Sequence, residues 1–147
     1  MIVLDSELKD KDDVIQYLAE KAMNLGYVSK VDTYVEAVKK REEEFSTAVG
    51  YGVSIPHGKS ESVKEAFIAF FRSRNGFQWD NSEESKVNLV FLLGVPENKK
   101  ETLHLKILAQ ISRKLMDETF REQLMNSDET KAYELLREIE KNILLEN

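Results

Sequence analysis

The chain has 147 residues, no cysteine and a formal net charge of −6, and 41% of its residues are apolar. This length and composition suit one globular domain, and the acidic balance argues against nonspecific binding of nucleic acid, which needs a basic surface. Without cysteine the chain has no disulfide, no thiolate metal site and no cysteine nucleophile.

No targeting or membrane segment is evident in the sequence. Residues 1–7 lack the basic region and the long apolar run of a signal peptide. The longest apolar runs, at residues 66–71 and 89–93, are too short to span a bilayer. We therefore expect a soluble, cytoplasmic protein that does not insert directly into the membrane.

The first third of the chain predicts two amphipathic helices. In residues 10–25 apolar side chains recur along one helix face, and Gly26 is a suitable stop. A second helix is expected from Ser29 or Asp32, either of which can cap it, to a charged end at residues 39–44. The residues expected to point inward from this helix are Val31, Val35 and Val38.

The middle of the chain has the pattern of β-strands. Residues 48–56 contain glycines and β-branched residues without a helical period, which predicts a strand and a turn. The apolar runs within residues 65–72 and 87–95 predict two strands buried on both faces. Between these two strands, Asn75-Gly76 predicts a turn.

Three further helices are predicted at residues 103–116, 120–125 and 129–145. Helical segments thus flank a central set of buried strands along the chain. This order predicts the α/β class, as a single domain over residues 1–147 with a central mixed β-sheet flanked by helices on both faces.

The segment at residues 50–60 places one of only two histidines, His57, between Pro56 and Gly58. Proline fixes φ and glycine allows unusual φ, so the backbone around His57 is expected to hold one shape. An imidazole where a strand meets a turn can act as a nucleophile, a base or a ligand. An ordinary surface turn is the alternative, and the tripeptide alone favours it.

Four other side chains have both a structural and a functional interpretation. His104, in the first turn of a predicted helix, is either a hydrogen-bonded core histidine or part of an anion site at a helix N-terminus. Arg41 begins the run Arg-Glu-Glu-Glu, which is either a solvated helix end or the source of a guanidinium for a phosphoryl group. Ser46 and Thr47 are either turn residues or hydroxyl donors to the same anion.

Two further kinds of site have little support in the sequence. Trp79 is a candidate for stacking on a sugar, but an anchor in the core or a loop is the favoured interpretation. A zinc site built from His57, His104 and carboxylates lacks the paired spacing of known zinc motifs. We therefore expect no metal and no cofactor.

Several segments, taken together and in chain order, resemble a known family. They are residues 41–47, 50–60, 69–73, 76–79, 90–96, 104–109, 115–117 and 120–124, and they cover nearly the whole chain. This ordered set resembles the fructose/mannitol-type EIIA domain (EIIA type-2) of the bacterial phosphoenolpyruvate-dependent sugar phosphotransferase system, with the fructose-like branch nearest.

The resemblance implies a phosphocarrier function. In that family the matching histidine accepts a phosphoryl group from HPr and passes it to an EIIB domain, which phosphorylates the sugar during transport through membrane EIIC. Applied to this sequence, it implies that His57 is the phosphorylated nucleophile, with His104 and Arg41 stabilising the phosphoryl group. The remaining residues expected to contact that group are Ser46, Thr47 and Gly58.

Two residues depart from the family pattern. Ser54 replaces a more usual alanine, and Tyr51 stands where asparagine is common. Neither change removes a catalytic group. Apolar residues around His57, such as Tyr51, Val53 or Ile55, are expected to form the docking surface for the partners. Nitrogen-related EIIA proteins share the Pro-His-Gly site but bind other proteins according to phosphorylation state, so a regulatory role is the alternative to sugar uptake.

Overall fold

The structure is a computed structural model that describes residues 1–80, 86–97 and 103–146, except for the side chains of residues 103–105, 140 and 142–146. The chain divides near residue 100 into two compact units. The first unit contains β1 (Ile2–Leu4), α1 (Lys11–Asn24), α2 (Val31–Glu44), β2 (Ala48–Gly50), β3 (Val53–Ser54), β4 (His57–Ser60), β5 (Phe67–Gln78) and β6 (Lys86–Pro96). The second contains α3 (Leu103–Leu115), α4 (Glu118–Asn126) and α5 (Glu129–Glu146).

The strands form one sheet in the order β1-β5-β6-β3-β2, and β4 also pairs with β6. Strand β5 runs antiparallel to β6, whereas β3 and β4 run parallel to it. The sheet is therefore mixed, which confirms the predicted α/β class.

Helices α1 and α2 cover one face of this sheet. Their apolar stripes, which include Leu18 and Val38, form a core with Phe67 and Phe71 of β5. Side chains that alternate with these along β5 and β6 point to the opposite face and are also buried, as Phe70 and Phe91 show. The two continuous apolar runs of the sequence are thus strands buried on both faces, as predicted.

The first helix has a side-chain N-cap, whereas the second has none. Asp10 accepts a 3.2 Å hydrogen bond from the Asp13 N–H at the start of α1. The N-cap of α2 is Lys30, without a side-chain cap, so the predicted cap at Ser29 or Asp32 is wrong. The Ser29 hydroxyl donates instead to the carbonyl of Ser62 at 3.1 Å, and Asp32 lies inside the first turn.

The turn predicted at Asn75-Gly76 is also wrong. Strand β5 continues through it to Gln78, with a register shift against β6 between Arg72 and Phe77. Gly76 adopts φ +73° inside this irregularity. The glycine therefore marks a β-bulge within one long strand rather than the end of a strand.

Strand β1 was not predicted from the sequence, and it is tied to the sheet by a buried arginine. The Asp5 N–H donates to the Arg72 carbonyl at 3.0 Å. The Arg72 guanidinium donates two hydrogen bonds of 3.1 Å to the Asp5 carboxylate, which lower the pKa of Asp5. This bidentate pair accounts for the burial of a charged residue on the sheet.

The second unit is built from three helices that pack on one another, and their bounds agree with the predicted ones to within two residues. Asp117 caps α4 by accepting a 2.9 Å hydrogen bond from the Thr119 N–H. None of the helices in the described residues combines the length and the apolar character needed to cross a bilayer.

Candidate active site

His57 is the first residue of strand β4, where it pairs with Leu93 of the central strand β6. The sequence predicts His57 at the exit of a strand, but it lies at the entry of one. Its backbone is therefore fixed by the sheet, while its side chain is only half-buried. A reactive group on such a strand is held more precisely than one on a loop.

The imidazole of His57 is oriented by a nearby peptide group. Its Nδ1 atom lies 2.9 Å from the carbonyl oxygen of Ile55. A carbonyl oxygen can only accept a hydrogen bond, so Nδ1 carries the proton. In the neutral imidazole the lone pair then lies on Nε2.

Gly58 lets helix α2 approach the strand that carries His57. A Cβ atom at position 58 would lie 2.9 Å from Val38 Cγ2, 3.1 Å from Val38 N and 3.4 Å from Tyr34 Cε1. Any side chain here would push α2 away from β4. The glycine next to His57 is therefore required by the close approach of the helix.

Arg41 lies one helical turn beyond Val38, close to the end of α2. It is half-buried, and its Nη1 donates a 2.8 Å hydrogen bond to the carbonyl of Phe45. Ser46, which follows, is exposed, and its Oγ accepts from the Ala48 N–H at 3.2 Å. The guanidinium thus binds the loop at residues 45–47, and its remaining N–H groups are the donors suited to an anion.

Glu42 is a buried carboxylate within the run Arg-Glu-Glu-Glu, a pattern that is typical of a solvated helix end. It is 8% exposed, whereas Glu43 and Glu44 beside it are exposed. Its Oε2 accepts from the Thr47 N–H and from Trp79 Nε1–H, each at 3.3 Å, and its Oε1 accepts from the Thr47 hydroxyl. Trp79 is a core anchor, as favoured from the sequence.

Helical spacing was the signal that identifies Glu42. It lies four residues after Val38 and eight after Tyr34, both of which are fully buried on the inward face of α2. Residues at these intervals share one helix face. A glutamate that continues an apolar stripe points into the protein, where it needs hydrogen-bond donors.

Thr47 connects this buried carboxylate to the segment before His57. The Ile55 N–H donates to the Thr47 carbonyl at 3.0 Å. The Ile55 carbonyl in turn holds His57 Nδ1. The end of α2, the loop at residues 45–47 and the imidazole are therefore joined by successive hydrogen bonds.

The expected apolar docking surface is only partly present. Val53 and Ile55 are buried, so the prediction that they present a surface to partners is wrong. Tyr51 is 71% exposed, and Phe45, in the loop that Arg41 binds, is 79% exposed. The exposed apolar area near the site is thus formed by residues of the loop and of the β2–β3 turn.

His104 belongs to α3 by its backbone, but its side chain lies outside the described residues. Its predicted role therefore remains a prediction. Among the side chains that the structure describes, no group of three histidine, aspartate or glutamate residues converges as a metal-binding cluster would.

Known proteins are similar to this chain in sequence and in fold. The chain is 35% identical to the fructose-specific EIIA component of Haloferax volcanii over 87% of this chain and 82% of that protein. The nitrogen regulatory protein IIA-Ntr of Neisseria meningitidis aligns with a TM-score of 0.76 and 32% identity, over 89% of this chain and 90% of that one. The mannitol enzyme IIA of Escherichia coli, solved in complex with phosphorylated enzyme IIB, aligns with a TM-score of 0.78 and 24% identity, over 92% and 93%.

A family model matches most of the chain. It is that of the phosphoenolpyruvate-dependent sugar phosphotransferase system, EIIA 2, and it matches residues 1–139. The match includes every element from β1 to α4 and most of α5. The chain therefore belongs to the EIIA 2 family of the phosphoenolpyruvate-dependent sugar phosphotransferase system.

Proposed function

We propose that this chain is a phosphocarrier that accepts a phosphoryl group from HPr on His57 and passes it to an EIIB protein for uptake of a fructose-like sugar. The observation that carries this proposal is the 2.9 Å contact between His57 Nδ1 and the Ile55 carbonyl. It leaves Nε2 with the lone pair on a half-buried, strand-anchored imidazole. The 35% identity to a fructose-specific EIIA component supports the choice of sugar class.

The chemistry is a direct exchange of one phosphorus–nitrogen bond for another. His57 Nε2 attacks the phosphorus atom of the donor phosphohistidine, and the bond from phosphorus to the donor imidazole breaks with its electron pair left on the donor. In the second step the acceptor side chain of EIIB attacks the same phosphorus atom and His57 leaves. Phosphoryl transfer of this kind asks the protein mainly for positioning and for stabilisation of negative charge.

The site residues have distinct proposed roles. Arg41 stabilises the phosphoryl oxygens with guanidinium N–H groups, and His104 supports the same group with a ring N–H. Ser46 contributes its exposed hydroxyl. Thr47 and Gly58 contribute indirectly, since both Thr47 donors are bound to Glu42 and Gly58 admits helix α2.

We propose that both compact units serve as one functional domain, because a single family model spans residues 1–139.

EIIB is the proposed acceptor, since a solved relative of the same fold is bound to phosphorylated enzyme IIB. The exposed rings of Phe45 and Tyr51 supply apolar area for that contact and for HPr. The similarity to a nitrogen regulatory protein supports the alternative of phosphorylation-dependent binding to regulatory partners.

The test is a phosphorylation and chase experiment. The chain is incubated with labelled phosphoenolpyruvate, enzyme I and HPr, then chased with a fructose-type EIIB. We expect acid-labile label on the wild type, none on His57→Ala, and slower labelling of Arg41→Ala. Label on His57→Ala equal to that of the wild type would exclude the proposed nucleophile.

The chase separates the two functions. Drainage of label to EIIB supports the transport phosphocarrier, whereas label retained in the presence of EIIB supports the regulatory alternative. Circular dichroism of His57→Ala is the control, because removal of a half-buried side chain at the start of β4 should leave the fold intact.

A further inference from the structure

A chain of hydrogen bonds leads from the buried carboxylate of Glu42 to the imidazole of His57. Glu42 accepts both donors of Thr47, its N–H at 3.3 Å and its hydroxyl. The Thr47 carbonyl accepts from the Ile55 N–H at 3.0 Å. The Ile55 carbonyl lies 2.9 Å from His57 Nδ1. Three successive links thus join two side chains that are 15 positions apart in the sequence.

Glu42 is itself held firmly, so it can serve as the fixed end of this chain. Trp79, buried near the end of β5, donates its indole N–H to Glu42 Oε2 at 3.3 Å. Tyr34 and Val38, on the same face of α2, pack where Gly58 admits the helix to β4. A buried carboxylate requires such donors, because it is costly to remove from water without them.

The last of these hydrogen bonds, from His57 Nδ1 to the Ile55 carbonyl, decides which ring nitrogen of the nucleophile carries the proton. Which ring nitrogen of a histidine carries the proton is set by the hydrogen bond that the other atom makes. If Thr47 shifts, the Ile55 N–H loses its acceptor, so residue 55 is no longer held and its carbonyl is no longer fixed at Nδ1. Nε2 would then carry the proton in part of the molecules, and those molecules cannot attack phosphorus.

We propose that Glu42 is a positioning residue for phosphoryl transfer, which acts through Thr47 and Ile55 to hold the His57 imidazole in the tautomer with its lone pair on Nε2. This inference rests on the proposed function of His57. Glu42 touches neither the phosphoryl group nor a partner protein in this role. Its contribution is therefore to the rate of transfer within the complex and not to the affinity for HPr.

Two conservative variants separate the position of the side chain from its charge. In Glu42→Gln the amide oxygen can accept from Thr47 N–H and Trp79, while the amide NH₂ donates to the Thr47 hydroxyl oxygen, so the geometry is kept without the charge. In Glu42→Asp the charge is kept but the side chain is one methylene too short to reach the same donors. Glu43→Gln, on the exposed neighbouring residue, is the matched control.

The measurement is single-turnover phosphorylation of His57 over a range of phosphorylated HPr concentrations. We expect Glu42→Asp to lower the limiting rate by about 10- to 100-fold with an unchanged half-saturating HPr concentration, as misplaced reacting groups do. Glu42→Gln should retain most of the wild-type rate, and Glu43→Gln all of it. ¹⁵N spectra of the unphosphorylated proteins should show His57 protonated on Nδ1 in the wild type and Glu42→Gln, and a mixture of tautomers in Glu42→Asp.

Several outcomes would overturn this inference. A folded Glu42→Asp protein with the wild-type limiting rate would do so, as would a Glu42→Gln protein as slow as Glu42→Asp, which would assign the effect to charge. A change only in the half-saturating HPr concentration would place Glu42 at the partner surface instead. A wild-type chain that takes no label on His57 would overturn the proposed function together with this inference, and so is distinguishable from the other outcomes.

Discussion

The Tyr34 hydroxyl donates a 2.8 Å hydrogen bond to the carbonyl oxygen of Leu93, the residue that pairs with His57 between β4 and β6. The Leu93 N–H in turn donates to the Pro56 carbonyl at 3.0 Å. Helix α2 is thus bonded to the central strand at the level of the nucleophile. This contact is buried, and its surroundings exclude water from the tyrosine ring.

We expect Tyr34→Phe to lower the free energy of unfolding by about 1 kcal/mol near neutral pH, because the buried Leu93 carbonyl loses the hydrogen bond from the tyrosine hydroxyl. Burial raises the pKa of Tyr34 well above its ordinary value of 10.0. The unfolded chain therefore releases this proton first, and the wild type loses stability as pH rises above that value. Tyr34→Phe has no such proton to release at this position. The difference in the free energy of unfolding between the wild type and Tyr34→Phe should therefore become smaller at alkaline pH.

Urea unfolding at neutral and alkaline pH measures this effect. Tyr17→Phe is the control for the loss at neutral pH, because Tyr17 is 38% exposed on α1 and its hydroxyl should contribute little to stability. If the difference in unfolding free energy between Tyr34→Phe and the wild type stays constant with pH, the raised pKa of Tyr34 is contradicted.

The close approach at Gly58 predicts the effect of adding one methyl group. In Gly58→Ala the new Cβ would lie 2.9 Å from Val38 Cγ2, and such overpacking costs about 1–3 kcal/mol. The double variant Gly58→Ala/Val38→Ala removes that atom and should recover part of the loss beyond what the two single changes add up to. Strictly additive unfolding free energies would show that the two residues do not interact.

The buried hydroxyl of Ser54 predicts a stabilising substitution. Ser54 is fully buried, and its Oγ has no hydrogen-bond partner among the residues that the structure describes. We expect Ser54→Ala, the residue more usual in the family, to raise the free energy of unfolding by about 1 kcal/mol. Ser60→Ala is the control and should destabilise, because the Oγ atom of Ser60, which is also buried, bonds to the Ser62 hydroxyl at 2.8 Å. Equal losses in both variants would contradict this account.

Tyr51 occupies a conformation that suits the asparagine more common at its position. Its φ is +58°, and Gly52 after it has φ +74°, so the pair forms the centre of the tight turn between β2 and β3. A bulky residue in this left-handed region is strained by about 1 kcal/mol, which asparagine largely avoids. Tyr51→Asn should therefore stabilise the protein, whereas Tyr51→Phe should not.

The same variant also tests the proposed partner surface. If the exposed ring of Tyr51 contacts HPr, Tyr51→Asn should raise the half-saturating HPr concentration while the limiting rate stays unchanged. A variant that is more stable and binds HPr as well as the wild type would confine the role of Tyr51 to the turn itself.

The spacing of apolar residues in the sequence predicted the elements whose positions depend on burial. The helices, the two long strands and the α/β class could all be read from apolar spacing, because those residues are placed by the need to bury them. The Asn75-Gly76 turn was wrong because a glycine inside a long strand has the same local signal as a turn. The short strand β1 was missed because three residues carry no usable period, and its partner Arg72 is distant in sequence.

The residues of the candidate site could be predicted from the sequence, but the hydrogen bonds that join them could not. His57, Arg41 and Gly58 could be named from their motif, yet nothing local indicates that the Ile55 carbonyl orients the imidazole. Glu42 was missed because its charge outweighed its position on the inward face of α2. Its donors come from residues 5 and 37 positions away in the chain, and contacts of that kind depend on the tertiary fold.

Trp79 is the only tryptophan of the chain, and it is buried within the first of the two compact units. Its fluorescence therefore follows the unfolding of residues 3–99 alone, whereas circular dichroism at helical wavelengths also follows α3, α4 and α5. Coincident midpoints from the two signals would show that the two units unfold as one cooperative block. If the fluorescence midpoint lies at a higher denaturant concentration than the midpoint of the helical signal, the unit that carries His57 is more stable than the helix that carries His104.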